Sequence, residues 1–391
     1  CTEDAFRRAG SESMDDFILK TAGPGAAGVN VPPSARANLR RYAAECRQDP
    51  VLRKDRFDTS HSKTGRRLGL FDCIEAPCMD GCAVDQKVPH YMDAVRSGHY
   101  GRAARLTRLD NPVPAMLARV CDHLCEPVCI RTHLDEPLAI RHIKRFIVER
   151  ESGPAIVGSG ITAARPDPSH RVAIIGAGPA GMSAAVELAQ AGIEVEIFEM
   201  HAYAGGMVGG AIPEYRLPSS VMEQDLATLE ALGVTIHFNT AAGRDIHLSQ
   251  LRRNGFRQVI ITVGAQIGKK LGLEGEDCDG VMDALYFLRH SREGRPVPTG
   301  NRIGVIGAGD TAMDCARTAW RRSADQTAGP SGSQTGSKVS LIYRRTIDQM
   351  PADREEVHCL REEGIEVLEL AKPQRLLLEE GKLRGLVCRR M

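Results

Sequence analysis

The spacing of apolar residues along the chain changes near residue 170. Before that point the clearest pattern is helical, because residues 138–149 place Ile140, Ile143 and Ile147 on one face. Beyond it, short apolar runs alternate with glycine-rich turns and helical segments, which predicts strand–turn–helix units. The first unit has a strand at 171–175, a helix at 180–191 and a strand at 194–198.

The same order of elements restarts at Arg302. It has a strand at 303–306, a helix that runs through Arg321 and a strand at 339–343. This duplicated βαβ organisation predicts an α/β protein with two Rossmann-type domains. A Gly/Ser/Pro-rich stretch at 151–170 is a predicted linker, and a low-complexity stretch at 324–337 is a predicted solvated loop.

Length and charge narrow the class of protein. A chain of 391 residues suits two or three domains, and its net charge of +1 argues against a nucleic-acid partner. No apolar run is long enough to cross a bilayer and residues 1–8 show no signal-peptide pattern, so we expect a cytoplasmic protein without membrane insertion. Because a reducing cytosol disfavours disulfides, the 12 cysteines are predicted metal ligands where they cluster.

The first glycine-rich turn, within VAIIGAGPAG, has the spacing of a dinucleotide-binding turn. An apolar strand precedes it, a helix follows it and an acid ends the next strand. Its first glycine permits a tight turn, the second lets the backbone approach a pyrophosphate, and the third lets helix and strand pack closely. The acid can accept hydrogen bonds from ribose hydroxyls. The residues assigned to this site are Gly176, Gly178, Pro179, Ala180, Gly181 and Glu199.

Two later segments favour FAD over NAD at this site. Gly205 and Gly206 lie just beyond Glu199, where a loop can approach a bound cofactor. The strand that carries Thr262 and Gly264 resembles the segment by which flavoproteins with two dinucleotide sites return to their FAD domain.

The second glycine-rich turn, within IGVIGAGDTAMD, predicts a second dinucleotide site. Its assigned residues are Gly307, Gly309, Asp310, Thr311 and Ala312. The strand that follows ends in Arg344 and Arg345 rather than in the acid typical of an NAD site. A guanidinium can bind a 2′-phosphate bidentately, so the pattern predicts NADPH; a solvated basic pair is the alternative.

Six cysteines fall in two tight groups within residues 61–150. The groups are Cys73-x4-Cys78-x3-Cys82 and Cys121-x3-Cys125-x3-Cys129. The paired C-x2-C spacing usual at zinc sites is absent, and runs of three thiolates favour iron–sulfur clusters. The alternative is a helical core stripe formed by the second group, because cysteine also packs as a small hydrophobe.

These motifs together resemble a known family. Residues from about Leu70 to Met391 are similar to the small subunit of NADPH-dependent glutamate synthase and to the N-terminal half of dihydropyrimidine dehydrogenase. The likeness rests on the two cysteine groups, both glycine-rich turns, AIPEYRLP and YRRTIDQMP, in the family's order. The cysteine pattern further resembles the flavin/iron–sulfur subunit of bacterial selenate reductases.

The resemblance implies two glutathione-reductase-like dinucleotide-binding domains after an α-helical iron–sulfur domain. The expected boundaries are 1–60 for the end of an upstream domain, 61–150 for the iron–sulfur domain, 151–170 for the linker, 171–290 for the FAD domain and 291–391 for the NADPH domain. The resemblance adds Arg216 to the FAD site. It implies that electrons pass from NADPH as hydride to FAD, then singly through two clusters to a partner domain or subunit.

The resemblance also implies how the cysteines divide between two 4Fe–4S clusters. In the family's crossed arrangement, one cluster is held by Cys73, Cys78 and Cys129, and the other by Cys82, Cys121 and Cys125.

The chain departs from the family pattern in two respects. After Met350 we find no segment that returns to the FAD domain, so we expect a piece of a longer protein with exposed apolar residues near the flavin. The family also has a cysteine where Leu70 stands and a glutamine or glutamate where Lys144 stands. An ammonium has no lone pair for iron, which leaves three thiolates per cluster, with Asp72 and His123 as adjacent candidate ligands.

Two other functions stay open at this point. The chain could be a metal-stapled interaction module with degenerate nucleotide sites. Alternatively, electrons could flow in reverse, from a ferredoxin-type donor to NADP.

Overall fold

The computed structural model describes residues 76–150, 167–327 and 337–391. The predicted upstream segment 1–60, most of the linker and most of the low-complexity loop lie outside the described residues, as do Leu70, Asp72 and Cys73. The chain divides into two compact units, one formed by residues 1–85 with 124–138 and the other by residues 86–123 with 139–391.

The described part of the N-terminal region is helical, as predicted. Its helices are α1 (Pro77–Asp80), α2 (Val88–Arg96), α3 (Tyr100–Asp110), α4 (Pro114–Val120) and α5 (Ile140–Glu149), with a 3-10 turn at Ile130–His133. Helix α5 buries Ile140 and Ile147 as its periodicity predicts. The same helix also buries Lys144, which no apolar pattern anticipates.

The first α/β layer follows the predicted linker. Its strands are β1 (Asp167–Ile175), β2 (Ile193–Phe198), β3 (Thr235–His237) and β4 (Phe256–Ile261), all parallel in the order β3-β2-β1-β4. Its helices are α6 (Pro179–Gln190), α7 (Gly206–Gly210), α8 (Ser219–Ala231) and α9 (Leu248–Arg253). Alternate residues of β1 enter different cores, Val172 and Ile174 on one face of the sheet and Ala173 and Ile175 on the other.

The second α/β layer repeats this design. Strands β5 (Arg302–Ile306), β6 (Lys338–Ile342) and β7 (Glu366–Leu368) are parallel in sequence order, with helices α10 (Ala284–Arg292), α11 (Asp310–Thr327) and α12 (Arg354–Glu362). Met313, Leu341 and Leu360 lie in its core. The two parallel sheets confirm the predicted fold class. An antiparallel hairpin that the apolar pattern did not predict follows, with strands β8 (Ala371–Glu379) and β9 (Lys382–Arg390).

Strand β4 forms one edge of the first sheet, and apolar side chains at its last residue and beyond it lie exposed. Ile261 is 66% exposed, Val263 51% and Ile267 91%. The expected position of an apolar patch beside the flavin stays a prediction. Among the helices of the described residues, none is both long and apolar enough to cross a membrane.

A carboxylate of α8 holds the start of α4. Asp225 is fully buried and accepts hydrogen bonds from the backbone N–H groups of Ala115 and Met116, at 3.2 and 2.9 Å. These N–H groups lie in the first turn of α4, where a helix offers no internal acceptor and favours a negative charge. Because α4 ends at Val120, directly before Cys121, Asp225 sets the position of the segment that carries this cysteine.

Replacing this carboxylate tests the anchor. We expect Asp225→Asn to lower the free energy of unfolding by about 2 kcal/mol, because charge-assisted hydrogen bonds to a buried group are weakened. Denaturant titration followed by circular dichroism measures the loss. Glu223→Gln, an exposed change on the same helix, is the matched control, and equal stability of the two variants would contradict the anchor.

Candidate dinucleotide and iron–sulfur sites

The first glycine-rich turn requires its glycines for steric reasons. Gly176 has φ of 105°, and a Cβ there would lie 2.6 Å from the carbonyl oxygen of Thr262. A Cβ on Gly181 would lie 2.1 Å from the carbonyl oxygen of Gly176. The turn is therefore a close meeting of β1, the start of α6 and the residue after β4, with no room for larger residues.

The loop at Gly205 and Gly206 packs directly on this turn. The N–H of Gly205 donates to the carbonyl of Ala177 at 2.7 Å, and a Cβ on Gly206 would lie 3.0 Å from the Cα of Gly178. Both loop glycines have positive φ, of 94° and 54°. The structure thus brings the two predicted segments together beside Gly178, which caps the N-terminus of α6, a position suited to a phosphate.

Glu199 directly follows β2 beside the turn and is buried. Its carboxylate accepts hydrogen bonds from the N–H groups of Ala177 and His201, both at 2.8 Å. These bonds fix the carboxylate next to the turn, and an ionised carboxylate has further lone pairs that ribose hydroxyls can use. The hydroxyl of Thr262 instead lies 3.0 and 2.9 Å from the carbonyls of Ile175 and Gly176, so it supports the turn. Gly264, also predicted at this site, has φ of 65° in the segment after β4.

Arg216 lies in an ion-pair network with the second layer. Its Nη1 donates to both carboxylate oxygens of Asp314 at 2.9 Å, and its Nε lies 2.9 Å from Oε1 of Glu356. Asp314 belongs to α11 and Glu356 to α12. The guanidinium is engaged there, and its assignment to FAD stays a prediction.

The second glycine-rich turn has a more open form. Gly307 has φ of 129°, and no atom lies within 4 Å of a Cβ built on Gly309. Asp310 begins α11, and its Oδ1 accepts the backbone N–H of Asp353 at 3.0 Å. Thr311 is exposed and Ala312 is buried under the turn. Space beside Gly309 at the helix N-terminus suits a pyrophosphate.

Arg344 and Arg345 follow β6 on the surface. Both side chains are exposed. Within the described residues, neither guanidinium forms a hydrogen bond or an ion pair with another side chain. The strand that the sequence predicts at 339–343 lies at Lys338–Ile342, so the two arginines stand just past its end, and their contact with a 2′-phosphate stays a prediction.

Thiols from the two cysteine groups are neighbours in the first unit. A Cβ on Gly81 would lie 2.5 Å from Cγ2 of Val128, so the Cys78–Cys82 turn packs against the segment before Cys129. Burial raises the pKa of the Cys78 thiol, and the charges of Cys129 and Cys82 raise it further. The described cysteines form no disulfide.

Residues 121–129 form turns rather than a helix, so the alternative of a helical core stripe is wrong. Within each unit, the described His, Cys, Asp and Glu side chains form no group of three or more at metal-binding distance. Cys73 lies outside the described residues. Unbonded neighbouring thiols from both groups nevertheless fit the donor chemistry of an iron–sulfur cluster.

Cys121 and His123 belong to the second unit, where Asp353 holds their segment. Nε2 of His123 lies 3.0 Å from Oδ2 of Asp353, and Nη1 of Arg141 donates to the same oxygen at 2.8 Å and to the carbonyl of Cys121 at 3.3 Å. The hydrogen bond from His123, with Arg141, holds the pKa of Asp353 well below its usual range. Because Asp353 also reaches Asp310, one residue joins the cysteine segment to the second glycine turn.

Comparison with known proteins shows the class of this chain. Residues 60–154 match the family described as dihydropyrimidine dehydrogenase domain II, 4Fe–4S cluster. Residues 170–385 match the pyridine nucleotide-disulphide oxidoreductase family, and the chain belongs to that family. It is therefore an oxidoreductase of the flavoprotein type, with a 4Fe–4S domain before a domain that binds FAD and a pyridine nucleotide.

Curated relatives agree with this class. The chain is 38% identical to NADP(+)-dependent formate dehydrogenase subunit beta of Moorella thermoacetica, over 81% of this chain and 46% of the relative. It is 34% identical to NADPH-Fe(3+) oxidoreductase subunit beta of Geobacter sulfurreducens, over 82% and 47%. It is 33% identical to the NAD-dependent dihydropyrimidine dehydrogenase subunit PreT of Escherichia coli, over 76% and 68%. The chain thus spans about half the length of the first two relatives.

Adding a methyl group to the first turn should be far more damaging than removing one from the second turn. We expect Gly181→Ala to abolish FAD retention and lower the melting midpoint, because its Cβ would overlap backbone that cannot move independently. Ala312→Gly, at the corresponding position of the second turn, is the matched control and should cost only about 1 kcal/mol. Bound-flavin absorbance and thermal melting measure both. Full FAD retention by Gly181→Ala would refute the steric constraint.

Asp314 should make stability depend on pH. Burial raises its pKa to about 6 although Arg216 lowers it. A folded-state pKa above the unfolded value favours the protonated form in the native state, so this contribution to stability is lost as pH rises toward the folded pKa. Relative to Asp314→Asn, the wild type should lose about 1 kcal/mol between about pH 5 and pH 7. Chemical denaturation at both pH values tests this; the exposed Asp348→Asn gives the baseline.

Proposed function

We propose that this chain passes electrons from NADPH through FAD and two iron–sulfur clusters to a partner domain or subunit. The observation that carries the proposal is the connection through Asp353, which joins the second glycine turn at Asp310 to the cysteine segment at Cys121. The names of the Moorella and Geobacter relatives, both beta subunits of NADP- or NADPH-linked enzymes, support it.

The protein's contribution is to position the cofactors. FAD supplies the exchange between two-electron and one-electron steps. The N-terminus of α6 and Glu199 would bind its pyrophosphate and ribose, and the glycine loop at 205–206 would cover the turn. Asp310, Thr311 and the open backbone at Gly309 would receive the pyridine nucleotide, with Arg344 and Arg345 at its 2′-phosphate.

Two residues, Arg344 and Arg345, decide the proposed preference for NADPH over NADH. Relatives at similar identity are named for NAD in one case and NADP in others, so the family alone does not fix the preference. We expect Arg344→Ala with Arg345→Ala to raise KM for NADPH roughly tenfold to a hundredfold and to leave KM for NADH nearly unchanged, because charge-assisted contacts are lost. Steady-state kinetics with both nucleotides measures this.

The control for that experiment is Arg354→Ala. Arg354 is a nearby surface arginine whose guanidinium instead bonds the carbonyls of Ile347 and Asp348. Equal weakening of NADPH and NADH in the double variant would show that the pair is not a 2′-phosphate site.

The proposed electron path includes two iron–sulfur clusters, each held by cysteines from both groups. We propose ligation by Cys73, Cys78 and Cys129 for one 4Fe–4S cluster and by Cys82, Cys121 and Cys125 for the other. The packing of the Cys78–Cys82 turn against the segment before Cys129 supports a cluster that takes thiolates from both groups. With three thiolates each, at least one cluster should have a labile iron.

Iron content tests the two-cluster arrangement. Anaerobically purified protein should hold about eight irons and develop 3Fe-type EPR signals on oxidation. Cys78→Ser should remove about half of the iron, whereas Cys388→Ser, a cysteine of the C-terminal hairpin, should remove none. Zinc in place of iron, or equal iron in both variants, would contradict the proposal.

The direction of electron flow and the terminal electron acceptor are also part of the proposed function. We propose flow from NADPH toward the partner, in the cytoplasm, and reverse flow to NADP is the competing direction. The likeness to selenate reductase subunits concerns the terminal acceptor and stays a prediction. Anaerobic reduction of the flavin by NADPH, followed by cluster reduction in a stopped-flow record, tests the direction; no cluster reduction within turnover time would favour the reverse.

A further inference from the structure

Lys144 is a buried cation on α5. Its side chain is only 5% exposed. Its Nζ lies 3.4 Å from Sγ of Cys121 and 3.5 Å from Oε1 of Gln86. Gln86 is itself buried, and its Nε2 donates to the carbonyl of Thr107 at 3.1 Å, which turns its oxygen toward the lysine. The ammonium is therefore held by fixed neighbours and points at the cysteine sulfur.

A buried ammonium is costly unless negative charge lies close to it. Among the described residues, no carboxylate forms an ion pair with Lys144, and its hydrogen-bond partners are a neutral amide and a sulfur. The sulfur is the partner that can carry a negative charge, either as a thiolate or as a ligand of an anionic cluster. The lysine is thus placed to offset charge at Cys121.

We propose that Lys144 is a positioning residue that donates a hydrogen bond to the Cys121 sulfur and raises the reduction potential of the cluster bound there. Hydrogen bonds to ligand sulfurs and nearby net charge both set the potential of an iron–sulfur cluster. One-electron reduction would add one negative charge to the cluster without making or breaking a bond, so a fixed positive charge beside the sulfur would favour the reduced form. This inference rests on the proposed role of Cys121 as a cluster ligand.

The test is a potentiometric EPR titration of the anaerobic holoprotein. Lys144→Met removes both charge and hydrogen bond, and it should reduce the equilibrium constant for reduction of one cluster at least tenfold, about 59 mV for one electron. Lys144→Gln keeps an N–H donor without the charge and should give a smaller shift in the same direction. Lys144→Arg keeps the charge and should stay near the wild-type potential.

A matched control removes a lysine elsewhere. Lys338→Met takes away an exposed ammonium that pairs with Glu366 in the second sheet, and both clusters should keep their potentials. Unchanged potentials in Lys144→Met or Lys144→Gln with full iron would overturn the proposal. If Lys144→Met and Lys144→Gln lose iron but Lys144→Arg does not, the result supports compensation of the cluster's negative charge by Lys144. If all three variants lose iron, the proposed effect of Lys144 on the reduction potential is overturned.

Failure of this inference is separable from failure of the proposed ligation. If Cys121→Ser keeps all its iron, Cys121 is not a ligand and both proposals fail. If Cys121→Ser loses iron while Lys144→Met keeps the wild-type potentials, only the role of Lys144 fails.

Discussion

The buried ion pair between Arg216 and Asp314 is the contact on which the arrangement of the two nucleotide-binding layers depends. Arg216 precedes α8 of the first layer, and its guanidinium is bound by carboxylates of α11 and α12 in the second. The network continues through Arg317, which pairs with Glu356 and with Glu363 at 2.8 Å. Breaking one partner of such a network strands a buried charge, at a cost of about 3–5 kcal/mol.

An aromatic ring completes this connection. Tyr215, next to Arg216, lies under the guanidinium groups of Arg317 and Arg321, which are 4.9 and 4.2 Å from its ring centroid. Ion pairs are directional and the ring restricts the guanidinium planes. The AIPEYRLP motif therefore connects the first layer to helices α11 and α12 of the second layer through Tyr215 and Arg216.

Local features were predictable from the sequence, and long-range partners were not. Glycine spacing and apolar runs located both turns, because a strand, a tight turn and a helix are encoded within a few residues. Asp225, Asp353 and Lys144 act on residues distant in sequence, and no local pattern marks them. The sequence did contain one signal for the hairpin of β8 and β9, the glycine of the Glu380-Gly381 turn. Both turn residues have positive φ, as a two-residue hairpin turn requires, and glycine adopts that conformation most readily.

The net charge of the chain is known from its composition, but the pairing of individual charges depends on the fold. A net charge of +1 argues against a nucleic-acid partner but does not locate the functional charges, because these are arranged over a few ångströms. Arg216 and Arg141 each meet carboxylates at hydrogen-bond distance, at Asp314 and Asp353. Lys144 instead meets the Cys121 sulfur. A buried cation needs an anion, and the cluster that this cysteine is proposed to hold would supply it. Lys144, which meets a sulfur rather than a carboxylate, thus lies at the predicted redox centre, where a lysine can act as a donor although it cannot be a ligand.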